Sequence, residues 1–161
     1  MLEKIISGSQ TGVDENALKA AKAVGLKTGG EIPKGFRTLN GSRPDLALEY
    51  GLTESISSGY SLRTENNVKN ADTTIRLASD FKSAGERLTL RCIKWFNKPY
   101  LDVNVNKPLD QGIVVAWIVD NGFKTLNIAG NSEDTSPGIG DFAFEYLKEV
   151  FQKCLEQKIQ C

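Results

Sequence analysis

Two polar segments, each placed between an apolar stretch and a helical pattern, contain residue types that bind anions. In the first, GSQTGVD at 8–14, glycines let the backbone approach a ligand, and free N–H groups at a helix N-terminus attract negative charge. The spacing of Thr11 and Asp14 is that of a capping box, with Thr11 as the helix cap. The segment predicts an anion site, although an ordinary strand-to-helix turn has the same pattern. Its predicted members are Gly8, Ser9, Gln10, Thr11 and Gly12.

The second segment places Arg87 in the first turn of a helix that Ser83 and Glu86 would cap. A cation there opposes the helix dipole at a cost of a few tenths of a kcal/mol, so a bound anion explains Arg87 better than helix stability does. An exposed pair with Glu86 is the alternative. The predicted binding residues are Ser83, Gly85, Arg87 and Thr89.

A third polar segment, 130–138, predicts Ser136 as a helix cap and Pro137 as the first helical residue. Gly130 and Asn131 open this segment and are predicted to border the ligand, although a plain loop fits equally well. Three further cations could neutralise a bound anion, because the planar guanidinium group of arginine suits phosphate. Taken singly, each of these cations would be interpreted as an ordinary surface charge. They are Lys34, Arg37 and Arg63.

The chain has no histidine, which excludes Ser-His-Asp, Cys-His and HExxH chemistry. Its cysteines have no CxxC spacing, so neither a disulfide framework nor a protein metal site is predicted. Cys92 and Cys154 are expected in the core and Cys161 in a mobile tail. These absences favour binding over catalysis, and no catalytic residue is predicted.

The charge balance, 20 Lys+Arg against 20 Asp+Glu, disfavours nucleic acid and anionic membranes as partners. The longest apolar run, 113–119, is far below the roughly 18 to 20 residues that span a bilayer. The N-terminus lacks the features of a secretory signal. We therefore expect a cytoplasmic protein.

Alternating short apolar runs and helical patterns predict one α/β domain over 1–161, a doubly wound and mainly parallel sheet. Trp95 and Ile113 are expected on buried helix faces, and 29–60 is expected to form a long connection. In such sheets ligands bind outside the carboxyl ends of the strands, where the polar segments should meet. The predicted strands are 4–7, 26–28, 73–78, 99–103 and 125–129, and the predicted helices are 14–24, 85–96, 110–121 and 140–157.

Several segments together resemble the molybdenum carrier family, which is similar to the Rossmann-like group that includes the lysine-decarboxylase-like phosphoribohydrolases. The resemblance implies a protein that binds molybdenum cofactor, an anionic pyranopterin phosphate, and carries or stores it without converting it. The cofactor's dithiolene would hold the metal, and molybdoenzymes or cofactor biosynthesis proteins would be partners. The matching segments are GSQTGVD at 8–14, TGG at 28–30, PKG at 33–35, LTE at 52–54, RTE at 63–65, NV at 67–68, and 83–89.

Two departures from the related patterns affect the expected chemistry. Ala84 stands where the family usually has the first glycine of a pair, and Cys92 stands where the phosphoribohydrolases carry a catalytic glutamate. Hydrolysis is therefore disfavoured. A nucleotide or N-glycoside hydrolase using Glu65 or Glu54, and a nucleotide-sensing module, remain as alternatives. An apparent surplus of aromatic residues predicts a homo-oligomer, a dimer or tetramer; these are Trp95, Phe96, Phe142, Phe144 and Tyr146.

Overall fold

A parallel five-stranded sheet with packed helices forms the frame of the protein in a computed structural model that describes residues 1–157. The strands are Lys4–Ile6 (β1), Lys27–Gly29 (β2), Glu31–Ile32 (β3), Arg37–Thr38 (β4), Gly41–Ser42 (β5), Thr53–Glu54 (β6), Thr73–Ala78 (β7), Tyr100–Asn104 (β8) and Thr125–Gly130 (β9). The helices are Val13–Ala23 (α1), Pro44–Tyr50 (α2), Tyr60–Asn70 (α3), Ala84–Trp95 (α4), Gln111–Asp120 (α5) and Ile139–Glu156 (α6). This is a Rossmann-like α/β architecture, as predicted.

The order of strands in the sheet is β2-β1-β9-β7-β8, and every neighbouring pair is parallel. Ile75 of β7 lies opposite Ile128 of β9, and all six residues of β7 are buried. Helices α1 and α5 both pack on α6, whereas α3 packs on α4. Because β1, β9 and β7 are neighbours and run the same way, the loops that follow them leave the sheet side by side.

The elements predicted around this sheet are confirmed to within about one residue at most ends, because their apolar periodicity is strong. Two side chains predicted to be buried are not: Trp95 is 82% exposed and Ile113 is 57% exposed. At about 100° per residue, each lies more than about 100° around its helix from the centre of the buried stripe. In α4 that stripe passes through Cys92 and Ile93.

The region 29–60 was predicted as a long connection, and this is wrong. It contains α2 and four strands of two residues each, with β3 parallel to β6 and β4 antiparallel to β5. Helix α2 buries Leu46 and Tyr50 against Leu18 of α1. These strand pairs are too short to produce an alternating apolar pattern in the sequence. Helix α3, which follows them, also lacks a clear apolar pattern, because the positions that it buries include the polar Thr64 and Asn67.

The start of α6 also differs from the prediction of a Ser136 cap followed by Pro137. The helix begins at Ile139 after Gly138, whose φ of 86° only glycine adopts easily. The Glu133 carboxylate accepts hydrogen bonds from the N–H groups of Gly138 and Gly140. This side chain therefore supplies the negative charge that the N-terminus of α6 attracts.

Candidate functional site

The loops after β1, β7 and β9 meet α3 and the first turns of α4 around one cleft of about 250 Å³. This is the carboxyl edge of the sheet, where ligands bind in open α/β folds. The cleft brings together predicted residues from every polar segment, namely Gln10, Arg63, Ser83, Gly85, Thr89, Gly130 and Asn131.

The loop after β1 holds two buried hydroxyl groups without a hydrogen-bond partner. Ser9 is 0% exposed and Thr11 is 7% exposed, and neither Ser9 Oγ nor Thr11 Oγ1 bonds to another described group. The prediction that Thr11 caps α1 is wrong, because Gly12 occupies the cap position and no side chain caps this helix. A buried polar group without a partner costs about 1–3 kcal/mol. Both hydroxyls lie behind the cleft surface, because Gly8, Ser9, Thr11 and Gly12 do not line the cleft, whereas Gln10 does.

Glycines are required where the β1 loop touches its neighbours. A Cβ atom at Gly12 would lie 2.5 Å from the carbonyl oxygen of Asn131, and the φ of Gly12 is 84°. At Gly8 the same atom would overlap the guanidinium of Arg63. Both glycines therefore allow another group to pack directly on the loop backbone.

Arg63 projects from the first turn of α3 onto this loop. Its side chain is 12% exposed, its Nη1 lies 3.6 Å from Oδ2 of Asp14, and its Nε is buried without a partner. One turn along α3, the amide of Asn67 bonds to both the N–H and the carbonyl of Glu31. These two bonds fix α3 against β3 and so hold Arg63 at the cleft.

Asp14 is a buried carboxyl of the cleft that the sequence indicated only as part of a helix cap. Burial raises its pKa to about 6, against the lowering effects of Arg63 and of the backbone N–H groups of Gln10 and Gly8. Two of the N–H groups that were predicted to bind a ligand anion, those of Gly8 and Gln10, therefore act on the Asp14 carboxyl. The buried side-chain donors without a partner in and around this loop are the hydroxyls of Ser9 and Thr11 and the Nε of Arg63 in α3.

Glu86, in the first turn of α4, is the second buried carboxyl that lines the cleft. Its backbone N–H bonds to Ser83 Oγ, which confirms Ser83 as the cap, but its side chain faces Arg76 at 3.5 Å. Burial raises its pKa to about 8, opposed by the charge of Arg76. Arg76 interacts with two carboxylates, because its Nη2 and Nε also donate hydrogen bonds to the Asp102 carboxylate, at 2.6 Å and 2.8 Å.

Asn131 joins the loops after β7 and β9. Its Oδ1 accepts from the N–H groups of Ser79 and Asp80 at 2.9 Å and 3.0 Å. Its Nδ2 donates to the Asp80 carbonyl oxygen at 3.0 Å and to Ser83 Oγ at 3.4 Å. Gly130 packs too closely on Val13 to accept a Cβ. Both residues therefore shape the cleft, and their polar groups are already bonded within the protein.

Tyr60 adds an aromatic ring to the cleft, and no signal in the sequence identifies it as a site residue. Its ring centre lies 5.4 Å from the guanidinium carbon of Arg63 and 5.5 Å from that of Arg37. Arg37 therefore stands beside the cleft through its contact with Tyr60. Lys34 is exposed and does not line the cleft.

Arg87 lies away from the cleft, about 100° around α4 from Glu86. It borders a shallow surface with Leu90, Arg91, Lys94 and Trp95. Helical rotation explains the separation, because consecutive residues point about 100° apart. The structure therefore does not bring Arg87 together with the other predicted site residues.

Among residues 1–157, no group of three His, Cys, Asp or Glu side chains is arranged to hold a metal ion. Cys92 and Cys154 are buried, as predicted, and burial raises the pKa of both thiols, that of Cys154 to about 11. Cys161 lies outside the described residues. No helix in the described part is long and apolar enough to cross a membrane.

Comparison with known proteins supports the resemblance inferred from the sequence segments. No curated protein matches the chain. A crystal structure from Syntrophus aciditrophicus SB, named "Putative molybdenum carrier protein", is similar over 93% of this chain and 94% of its own, with 33% identity and a TM-score of 0.83. Residues 5–151 match the sequence profile of a family of Rossmann-like proteins. With nearly the whole chain covered by that match, the protein belongs to the circularly permutated YpsA SLOG family.

Proposed function

We propose that the protein binds molybdenum cofactor and holds it for transfer or storage without converting it. The observation that carries the proposal is the set of three buried polar atoms without partners, Ser9 Oγ, Thr11 Oγ1 and Arg63 Nε. All three are hydrogen-bond donors, and the terminal phosphate of a pyranopterin offers several acceptor oxygens. The name of the Syntrophus aciditrophicus protein supports a molybdenum-related cargo.

In this proposal the phosphate binds at the β1 loop rather than at the start of α4. Ser83 Oγ accepts hydrogen bonds from the Glu86 N–H and from the Asn131 amide, so both of its acceptor lone pairs are used and its O–H is the one donor that it keeps. The β1 loop instead has unpartnered hydroxyls at Ser9 and Thr11, on either side of Gln10, which lines the cleft, and Gly8 of the same loop packs on Arg63. The rings of the cargo would extend along Tyr60, and part of them would stay outside, because the cleft is slightly smaller than the roughly 300–1,000 Å³ typical of ligand pockets.

The metal in such a complex would be held by the sulfur atoms of the cargo itself. Cys92 and Cys154 are buried and do not line the cleft, and the chain has no histidine. The protein's contribution is to bind the phosphate, shelter the pterin and orient it. Molybdoenzymes or cofactor biosynthesis proteins would be the exchange partners.

The test is to purify the protein from a cofactor-replete host and measure molybdenum and oxidised pterin fluorescence after desalting. Wild type should retain both together, and the Ser9→Ala/Thr11→Ala double variant should bind cofactor at least about tenfold more weakly, as expected for hydrogen bonds to a charged group. Ser58→Ala/Thr53→Ala, at exposed positions, is the matched control. Stoichiometric molybdenum without pterin would refute the cofactor and indicate an oxyanion carrier.

A second candidate function, a nucleotide or N-glycoside hydrolase, is favoured by one observation. Asp14 and Glu86 line the same cleft, and burial raises their pKa values to about 6 and about 8. Near neutral pH, Asp14 would therefore be ionised and could act as a base, and Glu86 would be protonated and could act as an acid. Glu65 and Glu54, the candidates chosen from sequence, are exposed and do not line the cleft. A hydrolase would therefore have to use the buried pair.

We also propose that the protein forms a homo-oligomer, but through a different surface from the predicted aromatic one. Phe96, Phe142, Phe144 and Tyr146 belong to or pack against the hydrophobic cores of the monomer. Helix α5 instead leaves an apolar face uncovered, formed by Gly112, Ile113, Ala116 and Val119. Sedimentation at micromolar concentration should show a dimer or tetramer that Ile113→Glu dissociates, and a wild-type monomer would contradict the proposal.

A further inference from the structure

We propose that the outer surface of α4, formed by Arg87, Leu90, Arg91, Lys94 and Trp95, binds an acidic protein. If the proposed function is correct, this protein delivers cargo to the neighbouring cleft or receives it from there. The outer surface of α4 is not part of the cleft, and its residues have no other role in the structure described above.

The outer surface of α4 combines the two residue types that contribute most to binding in protein interfaces. Trp95 is almost fully exposed, and Arg87 and Arg91 lie beside it on the same side of the helix. Trp and Arg are enriched among the residues whose truncation costs most in protein complexes. The partly buried Leu90 forms the floor of a shallow depression between them.

The cations of the outer surface of α4 are not paired with carboxylates at ion-pair distance within the described residues. Arg87, Arg91 and Lys94 form no ion pair there, whereas Lys19 and Lys153 on other helices each pair with a glutamate one turn away. The chain as a whole has a net charge of zero. The three cations therefore form a local positive patch that complements an acidic surface.

Charge and composition also decide between possible occupants. A two-fold contact with a second copy would place this positive patch against itself, since such an interface uses the same surface on both subunits. Three cations around one tryptophan could neutralise only about three phosphates, which would give weak nucleic-acid binding because phosphate neutralisation dominates that affinity. An acidic protein with an apolar side chain to cover Trp95 satisfies both features of the surface.

The position of the surface connects it to the cleft. Glu86 lines the cleft, and the next residue, Arg87, belongs to the outer surface of α4. One turn later, Thr89 lines the cleft and Leu90 belongs to the outer surface of α4. A protein bound along α4 would therefore lie beside the cleft.

Trp95 provides a direct reporter for the test. In a Trp117→Phe background, which changes a ring packed on Phe123, Trp95 is the remaining tryptophan. The probe is a synthetic amphipathic peptide with glutamate and leucine on one face, titrated against the whole protein. We expect saturable binding with a blue shift of the Trp95 emission, weakened by raising salt from about 50 to about 500 mM.

The Arg91→Glu/Lys94→Glu variant should bind the peptide at least about tenfold more weakly and should retain pterin at the wild-type level. Lys107→Glu/Lys124→Glu, at exposed positions elsewhere, is the matched control and should bind normally. Unchanged peptide affinity in the α4 variant would overturn the proposal, as would tighter binding of a uridine oligonucleotide or of phosphatidylglycerol vesicles. Normal peptide binding by a protein that retains no pterin would contradict the proposed cargo and leave the docking surface supported.

Discussion

Arg63 and Asp14 face each other inside the cleft at 3.6 Å, with both side chains largely withdrawn from water. The separation is longer than a hydrogen bond, so the pair is held by charge and by the packing of Arg63 on Gly8. Arg63 consequently keeps an unused donor, Nε, while its positive charge remains buried beside a carboxyl. Binding and stability are therefore linked at this residue.

Replacing Arg63 should affect both properties. Arg63→Ala should weaken cofactor binding by about 1.5–3 kcal/mol, the range for hydrogen bonds to charged groups. It should also lower the thermal midpoint, because it leaves Asp14 buried without its cation. Calorimetric titration and thermal unfolding measure the two effects. Arg87→Ala, on the outer surface of α4, is the control, and equal loss of affinity in that variant would contradict the site assignment.

Glu86 should make the folded state more stable at lower pH across the neutral range. Its pKa is about 8 in the folded protein against an ordinary value of 4.5, so the folded state holds a proton that the unfolded chain releases. This contribution is fully present below about pH 4.5 and is lost as pH rises through about 8, with a slope of up to about 1.4 kcal/mol per pH unit. Asp14, with a pKa of about 6, contributes mainly at lower pH.

Thermal unfolding between about pH 6 and about pH 8 tests this prediction. Wild type should lose stability as the pH rises, and Glu86→Gln should show a flatter profile because its side chain does not titrate. Glu65→Gln, at an exposed position of α3, should follow wild type. Identical slopes for wild type and Glu86→Gln would show that the Glu86 carboxyl does not hold this proton.

Gly8→Ala should displace Arg63 and reduce cofactor retention, because the new methyl group would overlap the guanidinium. Gly85 also borders the cleft, but a Cβ there has open space, so Gly85→Ala should keep the fold intact. Cofactor titration and thermal unfolding of both variants give the comparison. If Gly8→Ala bound the cofactor with wild-type affinity, the observed position of Arg63 would not be required for cofactor binding.

We expect no release of base or sugar phosphate from AMP above the uncatalysed rate. The Asp14 carboxyl faces Arg63 at 3.6 Å and the Glu86 carboxyl faces Arg76 at 3.5 Å, so each is engaged by a cation of the protein rather than left for a substrate. Wild type, Asp14→Asn and Glu86→Gln should therefore be indistinguishable in a sensitive chromatographic assay. Turnover by wild type that Glu86→Gln abolishes would replace the carrier function with the hydrolase.

The sequence was sufficient to predict the sheet and the cleft at its carboxyl edge, because buried parallel strands and the polar segments after them have local signals. Gln10, Ser83 and Asn131 were found in this way. Asp14 and Glu86 were seen only as capping residues, since burial of a carboxyl depends on what the rest of the chain places above it. Tyr60 reaches the cleft on α3, a helix whose buried positions are partly polar and therefore lack an apolar period.

The side-chain oxygen of Gln10 connects the β1 loop of the cleft to the β4–β5 hairpin. Gln10 Oε1 accepts from the N–H of Thr11 in the β1 loop and from the N–H of Leu39 between β4 and β5. The loop and the β4–β5 hairpin thus share a single anchor, and ordering one restricts the other. Cargo bound in the cleft should therefore slow both amide hydrogen exchange and proteolytic cleavage around Asn40. Either measurement would distinguish protein with bound cargo from empty protein without detecting the cargo itself.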